Sequence, residues 1–273
     1  MTVCIAAIAQ DKTIITASDL MVSGAVVSAD STAIKVEPFH KHWAAMIATD
    51  DLTQCIPIID GARELFRGKE NTLRTVRTCF KRAYQQYLSE YAADQVLGRF
   101  GLSMEAFVKG KHKLAPDQVN SLSTEIRQIK GKSDFLIYGH DENKMPHIVV
   151  VKDPGLDEVH DKPGFCAIGS GWAAADGMLF YLRQSVGRSM EETIFNVCAA
   201  KFMAEKVGTV GEDTFLFVKK YGYQAYASID MNLVNTIRGY WDKDGKPKVP
   251  NGVLESIKTA HIRFMAEDLD EAQ

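Results

Sequence analysis

The period of the apolar residues changes several times along the chain, and those changes limit the folds open to it. Between Val3 and Ala48 the apolar residues fall in short runs rich in β-branched side chains. Two of these are Val-Cys-Ile-Ala-Ala-Ile at 3–8 and Thr-Ile-Ile-Thr-Ala-Ser at 13–18. Joined by the polar Gln10–Asp11–Lys12, they predict a hairpin. Residues 25–28 and 33–36 predict a further pair of short strands, and Trp43 to Ala48 another. From Leu52 the spacing turns to threes and fours. Leu52, Cys55, Ile56, Ile59, Ala62 and Phe66 share one helix face. Asp50 or Asp51 is the expected N-cap, Gly68 the stop, and Pro57 is expected near the first turn or at a kink. A second helix is expected from about Thr72 to Ala93.

Strands return at Asp134–Tyr138 and Pro146–Val151. Phe165–Ile168 leads into Gly169–Ser170–Gly171, and a helix is expected from Trp172 to about Val186. Ser189 followed three residues later by Glu192 is a capping-box signature for a helix reaching about Val207. Strands at Thr214–Val218 and Gln224–Ile229 and a helix from Val253 to Met265 complete the reading. Strands, two helices, strands, two helices, strands is an α+β pattern and not alternating βαβ units. The helix pairs are placed to cover opposite faces of two stacked sheets. Residues 94–132, with glycine breaks, a basic loop and a short helix around Gln118–Ile129, read as an insertion. The expected organisation is one domain over 2–230 carrying that insertion, then a C-terminal extension over 231–273.

The chain is 46% apolar and 25% charged, the balance of a globular protein with a sizeable core. A net charge of −3 gives no footprint for nucleic acid, and the basic stretch Lys109–Lys113 reads as a solvated loop. Five cysteines in apolar or helical contexts, none in a C-x-x-C pair, read as buried reduced thiols. No run reaches the about 18 apolar residues of a membrane span, and no basic region followed by a long apolar stretch stands at the N-terminus, so no signal sequence is expected. A cytoplasmic protein without membrane attachment is expected. His40 and His42 flank Lys41 with no third ligand at motif spacing, so a polar turn is expected there, with no metal and no cofactor.

Chemistry gathers around the second residue. A threonine hydroxyl is a poor nucleophile until a base takes its proton, and an N-terminal α-amine supplies that base within the same residue. Its ordinary pKa of roughly 7.7–8.0 leaves much of it as free base near neutral pH. Removal of Met1, which a small second residue permits, would expose it. Many chains begin Met-Thr, so Thr2 carries weight only in company with the charged residues spaced along the next strands. Asp19 closes the second strand, and Lys35 lies sixteen residues later inside the apolar run Ala33–Val36. A buried lysine needs a carboxylate, and Asp19 is the candidate. An ammonium beside the Thr2 hydroxyl would favour the alkoxide.

In this arrangement the chain resembles the proteasome β subunits and the related bacterial ring peptidase of the heat-shock locus. These begin with a nucleophilic threonine, place an aspartate at the end of the second strand and a lysine sixteen residues beyond. Here the step from Thr2 to Asp19 is seventeen, one longer than the family's, as a longer hairpin turn would give. The strand Ala45–Thr49 is similar to the family's oxyanion strand, with Thr49 where glycine is usual; its N–H would still donate. Ser23 is carried over with Thr49 as an oxyanion or substrate contact. Gly169–Ser170–Gly171 is similar to the family's Gly-Ser-Gly turn. By local physics alone it is a tight turn with an N-cap; the resemblance implies that Ser170 orients the threonine amine. The family has an aspartate and a serine beyond its last long helix. Here Thr209 stands for the serine and Glu205 is offered as a substitute for the aspartate, which is missing at its expected step.

The resemblance covers roughly residues 2–92 and 133–218. It implies a four-layer αββα sandwich, the fold of N-terminal-nucleophile hydrolases, with homo-oligomeric rings enclosing the sites. Thr2, Asp19, Lys35 and Ser170 are the expected catalytic residues of a threonine peptidase acting on peptide or unfolded protein, with room for an unfoldase partner. Two other readings stand beside it: a ring-forming homologue that has lost activity, and an amidase acting on a small molecule.

Overall fold

The computed structural model describes residues 2–19, 21–23, 28–30, 35–49, 52–222 and 227–245; for 21–23, 28–30, 52 and 227 it describes the backbone alone. The first two strands, β1 (Val3–Ile8) and β2 (Ile14–Ser18), form the expected antiparallel hairpin, with Cys4 opposite Ser18. Asp11 stiffens the turn by accepting from the Thr13 N–H at 3.1 Å and hydroxyl at 2.7 Å, and Lys12 takes the left-handed φ of 65°.

Next come β3 (Met21–Ser23) and β4 (Ser28–Asp30), a small two-stranded pair, then β5 (Val36–His40) and β6 (Trp43–Thr49). Of the strands expected at 25–28 and 33–36, Ser28 and Val36 fall in described strands, and residues 25–27 and 33–34 lie outside the described residues. Two helices come after them, α1 (Leu52–Phe66) and α2 (Leu73–Ala92). The expected caps Asp50 and Asp51 lie outside the described residues. Pro57 sits beyond the first turn, inside α1. The Thr72 side chain accepts from the Thr75 N–H at 3.1 Å and fixes the start of α2.

Residues 93–132 hold two short helices, α3 (Met104–Val108) and α4 (Pro116–Gln128), after a π-turn at 93–97. Only the second was legible in the sequence. They close over a small cluster of their own, built on Val96, Leu97 and Leu122. The chain then returns through β7 (Ser133–His140), β8 (Pro146–Lys152) and β9 (Leu156–Val159), the last unread in the sequence, and β10 (Phe165–Gly169).

Helices α5 (Trp172–Tyr181) and α6 (Met190–Ala204) form the second pair. α5 stops five residues short of the expected Val186. Arg183 turns left-handed, at φ 54°. The Arg183 N–H then donates to Phe180 O at 3.0 Å and the Gln184 N–H to Leu179 O at 2.9 Å. That is a Schellman stop built on arginine in place of the usual glycine, and so invisible to a search for glycine. The Ser189–Glu192 capping box forms with both of its bonds, at 3.1 and 3.2 Å. β11 (Phe215–Lys219), β12 (Ala227–Ser228) and α7 (Met231–Tyr240) complete the described chain. The helix expected at Val253–Met265 and residues 224–226 lie outside the described residues.

Two five-stranded antiparallel sheets result, ordered β10-β1-β2-β11-β12 and β5-β6-β7-β8-β9. β1 explains the packing. All its residues are buried, because alternate side chains leave by opposite faces. Val3, Ile5 and Ala7 join Ala175, Val197 and Phe202 of α5 and α6, while Cys4, Ala6 and Ile8 meet Met46, Leu136 and Val150 of the other sheet. β6 divides likewise: Trp43, Ala45 and Ile47 pack with Ile59 and Phe80 of α1 and α2. Each fully buried Ile or Phe stabilises by roughly 1.5–3 kcal/mol relative to exposure, so a charge at Ile5 would break the core. The five cysteines are buried free thiols. Among the described residues no helix is long and apolar enough to cross a membrane.

Candidate active site

Four segments converge at one end of the two sheets. Thr2 directly precedes β1 and Asp19 directly follows β2, so the hairpin register, with Cys4 opposite Ser18, brings them together. The Asp19 N–H donates to Val3 O at 3.4 Å, and the Val3 N–H returns to Asp19 Oδ1 at 3.1 Å. Lys35 enters from the second sheet, just before β5, held there as its carbonyl accepts from the Ile47 N–H at 3.0 Å. Gly169 ends β10 opposite Val3, and Ser170 follows it. Gly211 lies ahead of β11, the neighbour of β2.

The centre is a buried triad. The Thr2 hydroxyl donates to Asp19 Oδ1 and accepts from Lys35 Nζ. Lys35 also donates to Asp19 Oδ1 at 2.8 Å, with the two side chains 7% and 0% exposed. Asp19 Oδ2 accepts from the Gly211 N–H at 3.1 Å. A carboxylate with this many donors is held in one orientation, and its charge answers that of the lysine. The Thr2 oxygen thus lies between a cation that stabilises an alkoxide and a carboxylate that fixes the cation.

Ser170 and Thr209 form a chain toward the same residue. The Thr209 hydroxyl donates to Ser170 Oγ at 3.0 Å, and the Ser170 hydroxyl to the Thr2 carbonyl at 3.3 Å. Gly169 is held at φ 90°, and a Cβ there would run into the Thr2 carbonyl. Thr49 lies across the opening; its hydroxyl donates to Lys132 O at 3.1 Å and lies 2.9 Å from Ser133 Oγ. Thr2, Thr49, Lys132, Asp134 and Ser170 border a cavity of about 340 Å³. A second cavity of about 530 Å³ opens beyond Asp134 and Ser170 and reaches Asp176, whose carboxyl is pushed up to about 6 by burial. Cys4, two residues after Thr2, is a poor nucleophile: burial pushes its thiol up to about 12, and it donates to Ile47 O at 3.4 Å.

Thr2, Asp19, Lys35, Ser170 and Thr209 therefore come together, with Thr49 facing them. The backbone of Ser23 lies in β3, and its side chain is outside the described residues. Glu205 stands apart from the threonine. Its carboxylate is taken by Lys201 at 2.6 Å and by Arg238 at 2.7 and 2.8 Å. The structure thus places the carboxylate offered as a substitute for the aspartate on those two cations, with Lys201 also bonded to the Gly211 carbonyl. Sequence reasoning missed Gly211, Lys201 and Arg238. Lys201 within the apolar run of α6, four residues before Glu205, was the available signal.

No family model matches the chain, and no curated protein matches it.

Proposed function

We propose that the protein is an N-terminal-nucleophile hydrolase, a threonine peptidase whose nucleophile is the Thr2 hydroxyl once Met1 is removed. One observation carries the reading: the Thr2 oxygen is bonded to both Lys35 and Asp19 in a buried corner at the edge of a cavity. The proposal includes the four-layer αββα fold. It is supported by one apolar cluster between the sheets and one on the outer side of each. It also includes homo-oligomeric rings, peptide or unfolded protein as substrate, and a cytoplasmic location.

The steps rest on the geometry and on the chemistry of the amine. Thr2 Oγ attacks the scissile carbonyl carbon while the Thr2 amine, directly or through water, takes the hydroxyl proton. Lys35 stabilises the oxygen as its charge develops, and Asp19 holds Lys35 charged and aimed. The carbonyl oxygen becomes an oxyanion, for which the Thr49 N–H is the candidate donor. Collapse breaks the C–N bond, the leaving amine takes the proton from the Thr2 ammonium, and an ester on Thr2 remains. Water, giving its proton to the same amine, releases the acid and restores the hydroxyl.

Intact-mass spectrometry before and after a peptide epoxyketone tests this, since the warhead needs a hydroxyl and its adjacent free amine. The expected result is loss of Met1 and one adduct per chain, absent in Thr2→Ala. Met1 retained without an adduct would overturn the proposal in favour of an inactive ring-forming homologue. Met1 lost without an adduct would turn it toward an amidase of small molecules.

A further inference from the structure

Behind Asp19 lies a second ionic cluster that the threonine chemistry does not use. Lys201 is 0% exposed, in the apolar packing between α6 and the first sheet. It donates to Glu205 Oε1 at 2.6 Å and to Gly211 O at 2.7 Å. Glu205, its side chain 4% exposed, receives both arms of the Arg238 guanidinium. Arg238 lies on α7, in the C-terminal extension. Its guanidinium sits 4.0 Å over the Phe202 ring and donates to Glu212 O at 2.9 Å. α7 is itself anchored: the Asp230 side chain caps its start, and Val234 and the following Trp241 are buried against α6.

Packing alone does not call for this cluster. Apolar side chains of the same volume fill a core as well as buried ions do, often with greater stability. What ions add here is direction. Lys201 and Arg238 grip the carbonyls of Gly211 and Glu212, two consecutive residues. The Gly211 N–H, on the other side of that residue, is the donor that holds Asp19 Oδ2. Gly211 is thus fixed at both backbone groups, one facing the cluster and the other the site.

We infer that α7 is a positioning element of the threonine site: Arg238, through Glu205 and Lys201, holds the 211–212 backbone so that the Gly211 N–H orients Asp19, and through it Lys35 and the Thr2 hydroxyl. Arg238, Glu205 and Lys201 touch no substrate. Their action is on the alignment of the nucleophile, where a displacement of about 1 Å costs roughly 100-fold in rate. The catalytic half of this inference rests on the threonine reading; the mechanical half does not.

The test pairs kinetics with hydrogen exchange on the full chain as it assembles. Arg238→Ala is compared with Arg238→Lys, which keeps the charge but not the two-armed grip. The expected result for Arg238→Ala is a fall in kcat of about 10-fold or more with KM within about twofold, and a smaller fall for Arg238→Lys. Exchange should quicken at the Gly211 amide and also at the Val3 amide, whose acceptor is Asp19. Should Arg238→Ala not fold, Arg238→Lys and Glu205→Gln are read the same way. Quickened exchange at Gly211 with Val3 still protected, or with kcat unchanged, overturns the inference. A wild-type protein with no amide-cleaving activity sinks the threonine reading instead; Val3 and Gly211 opening together would then still establish the coupling of α7 to Asp19.

Discussion

Replacing Asp19 by asparagine removes the charge on which the whole site converges. An asparagine has one acceptor oxygen where Asp19 uses two. Its NH₂ would face either the Lys35 ammonium or the Gly211 N–H, donor against donor. The ammonium of Lys35, 2.8 Å from the carboxylate, would lose an attraction on the order of 6 kcal/mol at an effective dielectric of about 20. The pair also carries a large desolvation cost, so the net loss for Asp19→Asn is smaller than that attraction, about 3–5 kcal/mol, the range for removing one partner of a buried pair.

Lys35→Met should cost less, because Asp19 keeps the Thr2 hydroxyl and the Val3 and Gly211 amides as donors. With both changes made, neither charge of the pair remains to be desolvated. The double variant should therefore be more stable than the sum of the single losses predicts, by at least about 2 kcal/mol. Chemical denaturation of the four proteins of the cycle measures that coupling, while turnover in all three variants should fall by at least about 100-fold. Losses that add to within about 0.5 kcal/mol would show the two groups uncoupled and refute the electrostatic account of the site.

Gly169→Ala should reduce turnover by about 100-fold or more, because φ 90° and the nearby Thr2 carbonyl leave no place for a Cβ and the nucleophile must shift; steady-state kinetics on folded protein checks this. His140 is buried, and burial holds its imidazole below the usual range, so the native protein keeps it neutral where the unfolded chain takes up a proton. That stability is present above about pH 6.5 and is lost as the pH falls below it. Denaturation curves from pH 7 to 5 should fall less steeply in His140→Gln. Ser189→Ala removes the cap of α6 and should cost about 1 kcal/mol, read as a lower denaturation midpoint with unchanged kcat.

Much of the fold was legible because apolar period reports directly on how many faces of an element are covered. β1 and β6 read as continuous apolar runs since both faces of each strand are buried, one by helices and one by the opposite sheet. Elements with little to bury left no such mark. β9 is mostly exposed, and α7, with Gly239 near its end, buries chiefly Val234 and depends on Trp241 beyond it for anchorage. α5 was read too long because a left-handed arginine carries no composition signal.

The site divides along a different line. Thr2 and Asp19 could be found because they flank the two strands of one hairpin, and Lys35, which enters from the second sheet, because a lysine inside an apolar run needs a carboxylate and the family resemblance supplied its step from Asp19. Gly211 contributes an N–H, which any residue but proline possesses, so no residue type marks it. Lys201 and Glu205 stand four apart at the end of α6, which in sequence is the pattern of a solvated surface pair of small effect. Burial reverses that meaning, and burial is a property of the fold. Where a candidate site is held by backbone donors and by buried ions, its supports become readable only after the elements that enclose them are in place.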